Sequence, residues 1–369
     1  MDLPPNPSAL SRRTFLQHSA VGAAAILTGA LLPQAKAVEP AKRKIKLGMD
    51  NFAVRAFGWK APQLLDYAAS LKLDTILISD LDAYTSLEDG YLREIKQQAD
   101  RAGLGIYQGS WSICPTSVKF KNTWGSAEEH LALGLRVSKA LGSPVFRVVL
   151  GAMEDRRTPG GIKARIADTV KVLKSCEKQA RDAGVKVAVE NHAGDLHSWE
   201  LAQLIEDAGR EFVGANIDSG NAAWTLEDPL QVLENLGAYT ICSSLRDDMI
   251  WETPDGAAIQ WTAIGEGLID WKKYTDRWAA LCPEVPMHIE TISGFTRPFP
   301  YKKDDFWQHY EKRPDALARF ESLAKAGREI SPFKAPEGAD KKEAEQDYQK
   351  GELERSVKYL REIGIGVKT

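Results

Sequence analysis

Apolar residues along this chain gather into eight short runs: 45–50 (IKLGMD), 74–81 (DTILISDL), 104–111 (LGIYQGSW), 143–151 (SPVFRVVLG), 186–192 (KVAVENH), 211–218 (EFVGANID), 239–247 (YTICSSLRD) and 285–293 (VPMHIETIS). Most are rich in Val, Ile and Leu and nearly continuous in apolarity, the pattern of strands buried on both faces. Between them lie amphipathic stretches of helix length, clearest over 62–72, 90–102, 127–141, 162–183, 198–208 and 270–281. Four of these meet a glycine just past their last apolar position, Gly103, Gly142, Gly184 and Gly209, which is a helix-ending signal. Ser198 stands just ahead of Glu200 and is the expected N-cap of its helix.

Strand-like runs alternating with helical stretches imply a parallel sheet with helical crossovers. An open doubly wound sheet normally carries a glycine fingerprint after its first strand. Here the first run leads into Asp50-Asn51-Phe52-Ala53 instead. The expected fold is therefore α/β, an eight-stranded (β/α)8 barrel over 45–330 with a C-terminal extension over 331–369. Residues 294–307 (GFTRPFPYKKDDFW) follow a run that carries an acid and are placed to line or cover the barrel mouth. Residues 331–340 are expected to be extended, and 341–362 to form a charged helix that docks through Leu353, Val357 and Leu360. That extension also offers a surface for homo-oligomer formation.

The first 37 residues fall outside this pattern. Ser11-Arg12-Arg13-Thr14-Phe15-Leu16 is a twin-arginine export pattern, followed by an apolar run near 21–32 and by Ala35-Lys36-Ala37, a cleavage-site pattern. The apolar run is too short to span a bilayer as a stable helix. The expectation is a twin-arginine signal over 1–37, a linker over 38–44, and a periplasmic or otherwise exported mature chain that is not held in the membrane.

The 369 residues have ordinary globular composition, 43% hydrophobic and 8% aromatic, with a formal net charge of -3. That charge argues against nucleic-acid binding, which needs a clustered basic surface. The four cysteines, Cys114, Cys176, Cys242 and Cys282, form no C-x-x-C pair and are expected to be buried free thiols.

Chemistry enters at the ends of the last four runs. Three carry an acid, Glu190, Asp218 and Glu290, and the fourth carries Ser244. Strand alternation decides which side chains share a face. If Glu190 points into the barrel, so do Ala188 and His192. Asn216 shares a face with Asp218, His288 with Glu290, and Ser244 with Cys242 and Arg246. Acids gathered inside a barrel repel one another unless one stays protonated, a cation joins them, or they pair with buried bases. Two readings follow. In one, a divalent metal sits among the oxygens, Mg²⁺ or Mn²⁺ being favoured and Co²⁺ or Zn²⁺ entering if a histidine joins. In the other, the acids pair with Arg147, Arg246 or His288 in a buried network. Trp111, Trp224 and Trp261 lie near the proposed mouth and are of a type that either stacks on sugars or packs in a core.

The segments VAVENH, NIDSGN, SLRD, IGEG-LIDW and HIET resemble those of the xylose isomerase-like TIM-barrel superfamily, the sugar phosphate isomerase/epimerase group, over roughly 45–295. The resemblance implies a divalent metal held by Glu190, Asp218 and Glu290, with a histidine expected where this chain has Ser244. It implies that Glu190 and Glu290 form the catalytic acid/base pair, moving a proton beside a carbonyl. His192, Arg246, Asp247, Trp111, Trp224 and Trp261 are the expected substrate-binding residues. Glu266, in the Gly265-Glu266-Gly267 turn, is read as rim or structural.

The expected activity is that of a sugar isomerase or epimerase acting on a small carbohydrate, and export points to a non-phosphorylated one. A keto-sugar lyase or hydratase would use the same acid/base pair. A non-catalytic carbohydrate-binding barrel is the third alternative, because the metal histidine is missing. Endonuclease activity is not expected, since the net charge is wrong for DNA.

Overall fold

The computed structural model describes residues 44–367; the twin-arginine pattern, its cleavage site and nearly all of the linker lie outside the described residues. Eight parallel strands form one sheet: β1 (Leu47–Asp50), β2 (Thr75–Ile78), β3 (Gly105–Ser112), β4 (Val145–Val149), β5 (Lys186–Glu190), β6 (Val213–Asp218), β7 (Thr240–Ser244) and β10 (Met287–Ile289). They run in chain order from β1 to β7, and β10 lies on the outer side of β1. A bridge between Leu245 and Ile289 brings β7 to β10. Leu245 N–H donates to the His288 carbonyl at 2.7 Å, and Glu290 N–H to the Leu245 carbonyl at 2.8 Å. The sheet is thus a nearly closed barrel, and the open doubly wound alternative is set aside.

Helices α1 (Ala61–Ser70), α2 (Asp89–Ala102), α3 (Ala127–Leu141), α4 (Gly161–Ser175), α5 (Glu177–Ala183), α6 (Ser198–Ala208), α7 (Ser219–Trp224), α8 (Pro229–Leu236) and α9 (Trp271–Leu281) lie between the strands. Local chemistry sets their ends. At α3, Ser126 Oγ accepts from Glu129 N–H while Glu129 accepts from Ser126 N–H, and Gly142 follows at φ 70°, a left-handed value that suits glycine. The stretch expected as one helix over 162–183 is two, because Cys176 leaves helical geometry at φ -105° and ψ 4°. Ser198 is not the N-cap of α6. His197 holds that position, while the Ser198 N–H and hydroxyl both donate to Glu227.

Two further features were not expected from the sequence. The run 239–247 does not continue as one strand. It leaves the barrel after Ser244, and Asp247 opens an antiparallel hairpin, β8 (Asp247–Thr253) and β9 (Gly256–Thr262). Residues 296–299 add β11 (Thr296–Phe299) to the free edge of β9. This small sheet packs on α7 and α10 (Leu317–Ala326) through Trp224, Ile250, Ile259, Trp261, Phe299 and Phe320. The last helix, α11 (Lys341–Glu362), buries Leu353, Val357 and Leu360 as expected. It is tied to the barrel by Ala56 N–H donating to Gln349 at 2.8 Å and by Ile264 N–H donating to Ser356 Oγ at 2.9 Å.

The barrel interior is layered. Leu77, Val145, Ala188 and Cys242 form an apolar layer together with Tyr107. Two residues further along their strands, the same faces carry Arg147, Glu190 and Ser244, so the interior turns polar toward the C-terminal ends. Gly48 makes this possible on β1, because a Cβ there would lie 2.6 Å from the His288 ring and 2.3 Å from Thr75 Oγ1. All four cysteines are buried and free. No helix among the described residues is long and apolar enough to cross a membrane.

Candidate active site

Glu190, Asp218 and Glu290 end β5, end β6 and follow β10, and all three are buried. Each offers one carboxylate oxygen such that the three atoms lie within 4.8 Å of one another. Their convergence follows from sheet register: Glu190 stands beside Asn216, and Asp218 beside Ser244. The Asn191 amide clips the strand ends together, donating to the Asp218 carbonyl at 2.9 Å and accepting from Asp218 N–H at 2.8 Å. One Asp218 oxygen caps α7 by accepting from Gly220 N–H and Asn221 N–H, which turns Oδ2 toward the other acids.

Two guanidinium groups enter the cluster. Arg147, on β4, donates through Nε to Glu190 Oε2 at 2.6 Å and places Nη2 2.5 Å from the same oxygen. Arg246 Nη2 donates both to Asp218 Oδ2 and, at 2.6 Å, to Glu290 Oε2. These are the two arginines expected in a buried network. His288, the third expected partner, is not part of it: neither ring nitrogen has a hydrogen-bond partner among the described residues, and the ring meets Tyr107 edge-on at 4.7 Å. Asn216 and Asn221 complete the first layer. Asn216 Nδ2 donates to Glu190 at 2.9 Å, and Asn221 Nδ2 to Asp218 Oδ2 at 2.6 Å.

Burial dominates the electrostatics. It pushes the Glu190 carboxyl up to about 7, with Arg147 working the other way and the Glu290 charge adding to the rise. Burial also holds Asp218 well above the usual carboxylate range, with Arg246 opposing. A fourth acid, Asp50 at the end of β1, was missed in the sequence. It accepts from Ser79 Oγ and from Phe52 N–H, and burial followed by the Glu290 charge holds it well above its ordinary value. The available signal was its place as an acid at the end of a barrel strand. A carboxyl that titrates near neutrality inside a water-poor mouth is suited to taking and returning protons at physiological pH.

The other expected site residues fall into two groups. His192 and Trp111 sit at the rim. His192 Nδ1–H donates to the Gly151 carbonyl at 2.6 Å, leaving Nε2 as an acceptor, and burial lowers its pKa to about 3, so the ring is neutral. Trp111 is 37% exposed and packs edge-on against Phe52 and His192. Trp224 and Trp261 are stacked on each other at 4.5 Å, with Arg297 over Trp224 and Arg246 over Trp261. Phe295, on the 294–307 segment, is 38% exposed and contacts both indoles by its edge.

Asp247 is placed differently. Its oxygens accept from Asp248 N–H, Gly265 N–H, Ile269 N–H and, at 2.7 Å, Trp271 Nε1–H. These bonds hold the segment leading into α9 and leave the carboxylate committed to the loop. Asp247→Ala would orphan four donors and is expected to lower unfolding stability by about 2–4 kcal/mol. Denaturant unfolding checks this. A loss of turnover with unchanged stability would instead make Asp247 a substrate contact. Glu266 lies at the surface, paired with Arg355 at 2.6 Å.

The sequence profile of the xylose isomerase-like TIM barrel matches residues 65–293, more than half of the chain. The chain belongs to that family. No curated protein matches it by sequence. Among solved structures it is similar to D-psicose 3-epimerase determined in the presence of D-fructose, at 14% identity and a TM-score of 0.57 over 88% of this chain and 100% of that one. It is also similar to 3-keto-D-glucoside 4-epimerase from E. coli, at 16% identity and a TM-score of 0.51 over 76% and 100% of the two chains. A third similar structure is the IOLI protein with a binding zinc atom, at 15% identity and a TM-score of 0.53 over 76% and 96%. At these identities the likeness is one of fold.

The family implies a metal. The Glu190, Asp218 and Glu290 oxygens lie close enough together to share a divalent ion. At the position where a histidine was expected, the Ser244 hydroxyl accepts from Asn216 at 3.2 Å. A metal in this xylose isomerase-like barrel would thus be held by three carboxylates without an imidazole.

Proposed function

We propose that this protein is a sugar epimerase or isomerase that moves the proton on a carbon beside a carbonyl, and that its substrate is a non-phosphorylated sugar or keto-sugar. The observation that carries the reading is the convergence of three buried carboxylates within 4.8 Å at the C-terminal ends of the barrel strands. Glu190 and Glu290 come from different strands, so a carbon between them has one carboxyl on each face. One removes the proton as base, and the other, protonated, delivers a proton to the opposite face. A divalent ion, Mn²⁺ or Mg²⁺ by its oxygen ligands, would be held by Glu190, Asp218 and Glu290 and would draw electron density from the carbonyl. Arg147 keeps Glu190 oriented. The neutral His192 offers Nε2 to a substrate hydroxyl, and Trp111 gives the rim an apolar face. The twin-arginine pattern supports export, and with it a substrate that carries no phosphate.

The test is proton exchange. The protein with Mn²⁺ is incubated with a panel of free keto-sugars in D₂O and followed by NMR. Deuterium is expected to enter at the carbon beside the carbonyl as the epimer appears. Absence of both changes across ketohexoses, ketopentoses and keto-glycosides would sink the epimerase reading.

A further inference from the structure

We propose that the Arg246 guanidinium and a divalent metal are alternative occupants of the space between Asp218 and Glu290, and that Asp248 receives the guanidinium when metal enters. This rests on the reading of the three acids as a cation site. A single nitrogen, Arg246 Nη2, touches two of the three acids. Asp218 Oδ2 already accepts from Asn221 Nδ2, so a metal reaching that oxygen must displace the arginine bond rather than join it. A divalent ion and a guanidinium among the same oxygens would also repel each other at short range in a medium of low dielectric. Arg147 is not in the same position, because of the three acids it binds only Glu190, and from the β4 side.

The arginine is built so that its head can move while its backbone stays. Arg246 N–H donates to Ser219 Oγ at 3.0 Å, and its carbonyl accepts from the same hydroxyl at 2.6 Å. The stem crosses Gly220, where a Cβ would lie 2.4 Å from Arg246 Cγ, so the glycine leaves the path open. The guanidinium lies over the Trp261 ring at 4.4 Å, and its Nε has no hydrogen-bond partner among the described residues. A flat aromatic face holds the group without fixing its direction.

A destination is present. Asp248, on β8, stands opposite Trp261 on β9 in the hairpin register. It is fully buried, and neither carboxylate oxygen has a hydrogen-bond partner among the described residues. A buried acid with nothing bound calls for an explanation. Burial, then the Asp247 and Asp218 charges, hold its carboxyl well above the usual range, and the Arg246 charge opposes them. Swinging across Trp261 to Asp248 would free Asp218 and Glu290 for metal and give the orphan acid its partner.

The experiment measures Mn²⁺ binding by the loss of the free-ion EPR signal, on the full chain freed of metal by chelation and checked for fold by circular dichroism. Arg246→Met is expected to bind Mn²⁺ about tenfold tighter than the wild type, the scale of ordinary coupling between competing ligands. Asp248→Asn is expected to bind it several-fold more weakly, and to have no effect when Arg246 is already Met. Equal or weaker binding by a folded Arg246→Met protein overturns the proposal. So does an Asp248→Asn effect that persists in the double variant, which would make Asp248 a ligand. If Arg246→Met does not fold, unchanged binding by Asp248→Asn alone overturns it. Because bound ion is the readout, failure to find a sugar substrate leaves the result standing, and Mn²⁺ binding that is undetectable in every variant refutes the cation site itself.

Discussion

Glu290→Gln is expected to lower kcat by about 10²–10⁴-fold while the protein keeps its fold, because the change removes a proton-transfer group and one charged oxygen of the proposed metal site but leaves the side chain's shape. Glu290 shares the Arg246 nitrogen with Asp218, so the guanidinium still has a carboxyl partner after the substitution. The glutamine also retains an oxygen that accepts from Nη2. Rate and melting temperature therefore separate cleanly in this variant. Two-faced proton transfer makes a sharper demand. With Glu290 gone, Glu190 can still exchange the proton of one epimer with solvent deuterium, while conversion to the other stops. Exchange lost equally from both epimers would mean that Glu290 acts by holding the site together. Full activity in Glu290→Gln would end the acid/base assignment.

Glu190→Gln should cost the same order of rate, but with a stability loss. Arg147 makes its two contacts with Glu190 to one oxygen, and no other acid among the described residues bonds to it. The two glutamates occupy equivalent places in the strand pattern, yet they differ in what each leaves behind when neutralised.

That difference marks the boundary of what the sequence carried. Strand alternation placed Ala188 and Glu190 on one inward face, and Asn216 with Asp218 on another, because a period of two leaves only two choices and the apolar residues take the helix side. Burial of Leu353, Val357 and Leu360 was legible from their i, i+4, i+7 spacing on one helix face. The exit of the chain from the barrel after Ser244 was not. Ser244-Leu245-Arg246-Asp247 keeps the alternation of a strand, and Leu245 does bridge to Ile289, so nothing local signals that Asp247 begins a different sheet. Asp247 was therefore placed with the substrate groups, whereas its four donors come from its neighbour Asp248 and from residues 265–271, contacts that only the fold creates. Helix α8 was not among the helical stretches read from the sequence, although the Asp228 cap and Pro229 at its first turn were a signal for it. Asp50 was passed over because its surroundings were read only for a missing glycine motif.

Arg147→Met is expected to destabilise the protein by about 3–5 kcal/mol, since both partners are almost completely buried and the substitution leaves the Glu190 charge without its cation. The methionine keeps most of the apolar stem, so the loss reports charge and hydrogen bonding, including the bond to the Ser110 carbonyl. The sign of its pH dependence is set by Glu190. Burial already raises that carboxyl from 4.5 to about 7 in the folded protein, and removing Arg147 takes away the group that opposed the rise. A raised folded pKa means that the protonated acid is tolerated and the charged one penalised. Stability linked to Glu190 is then present below pH 4.5 and is lost as pH climbs through 7 and beyond. Urea unfolding in chelator should show the gap between Arg147→Met and wild type widening from acid to alkaline pH. The double variant Arg147→Met, Glu190→Gln should recover much of the loss and flatten the pH dependence, because no buried charge remains unpaired. A gap that is constant with pH, or a double variant no better than the single, would mean that Arg147 supports the barrel by packing and not by holding the charge of Glu190.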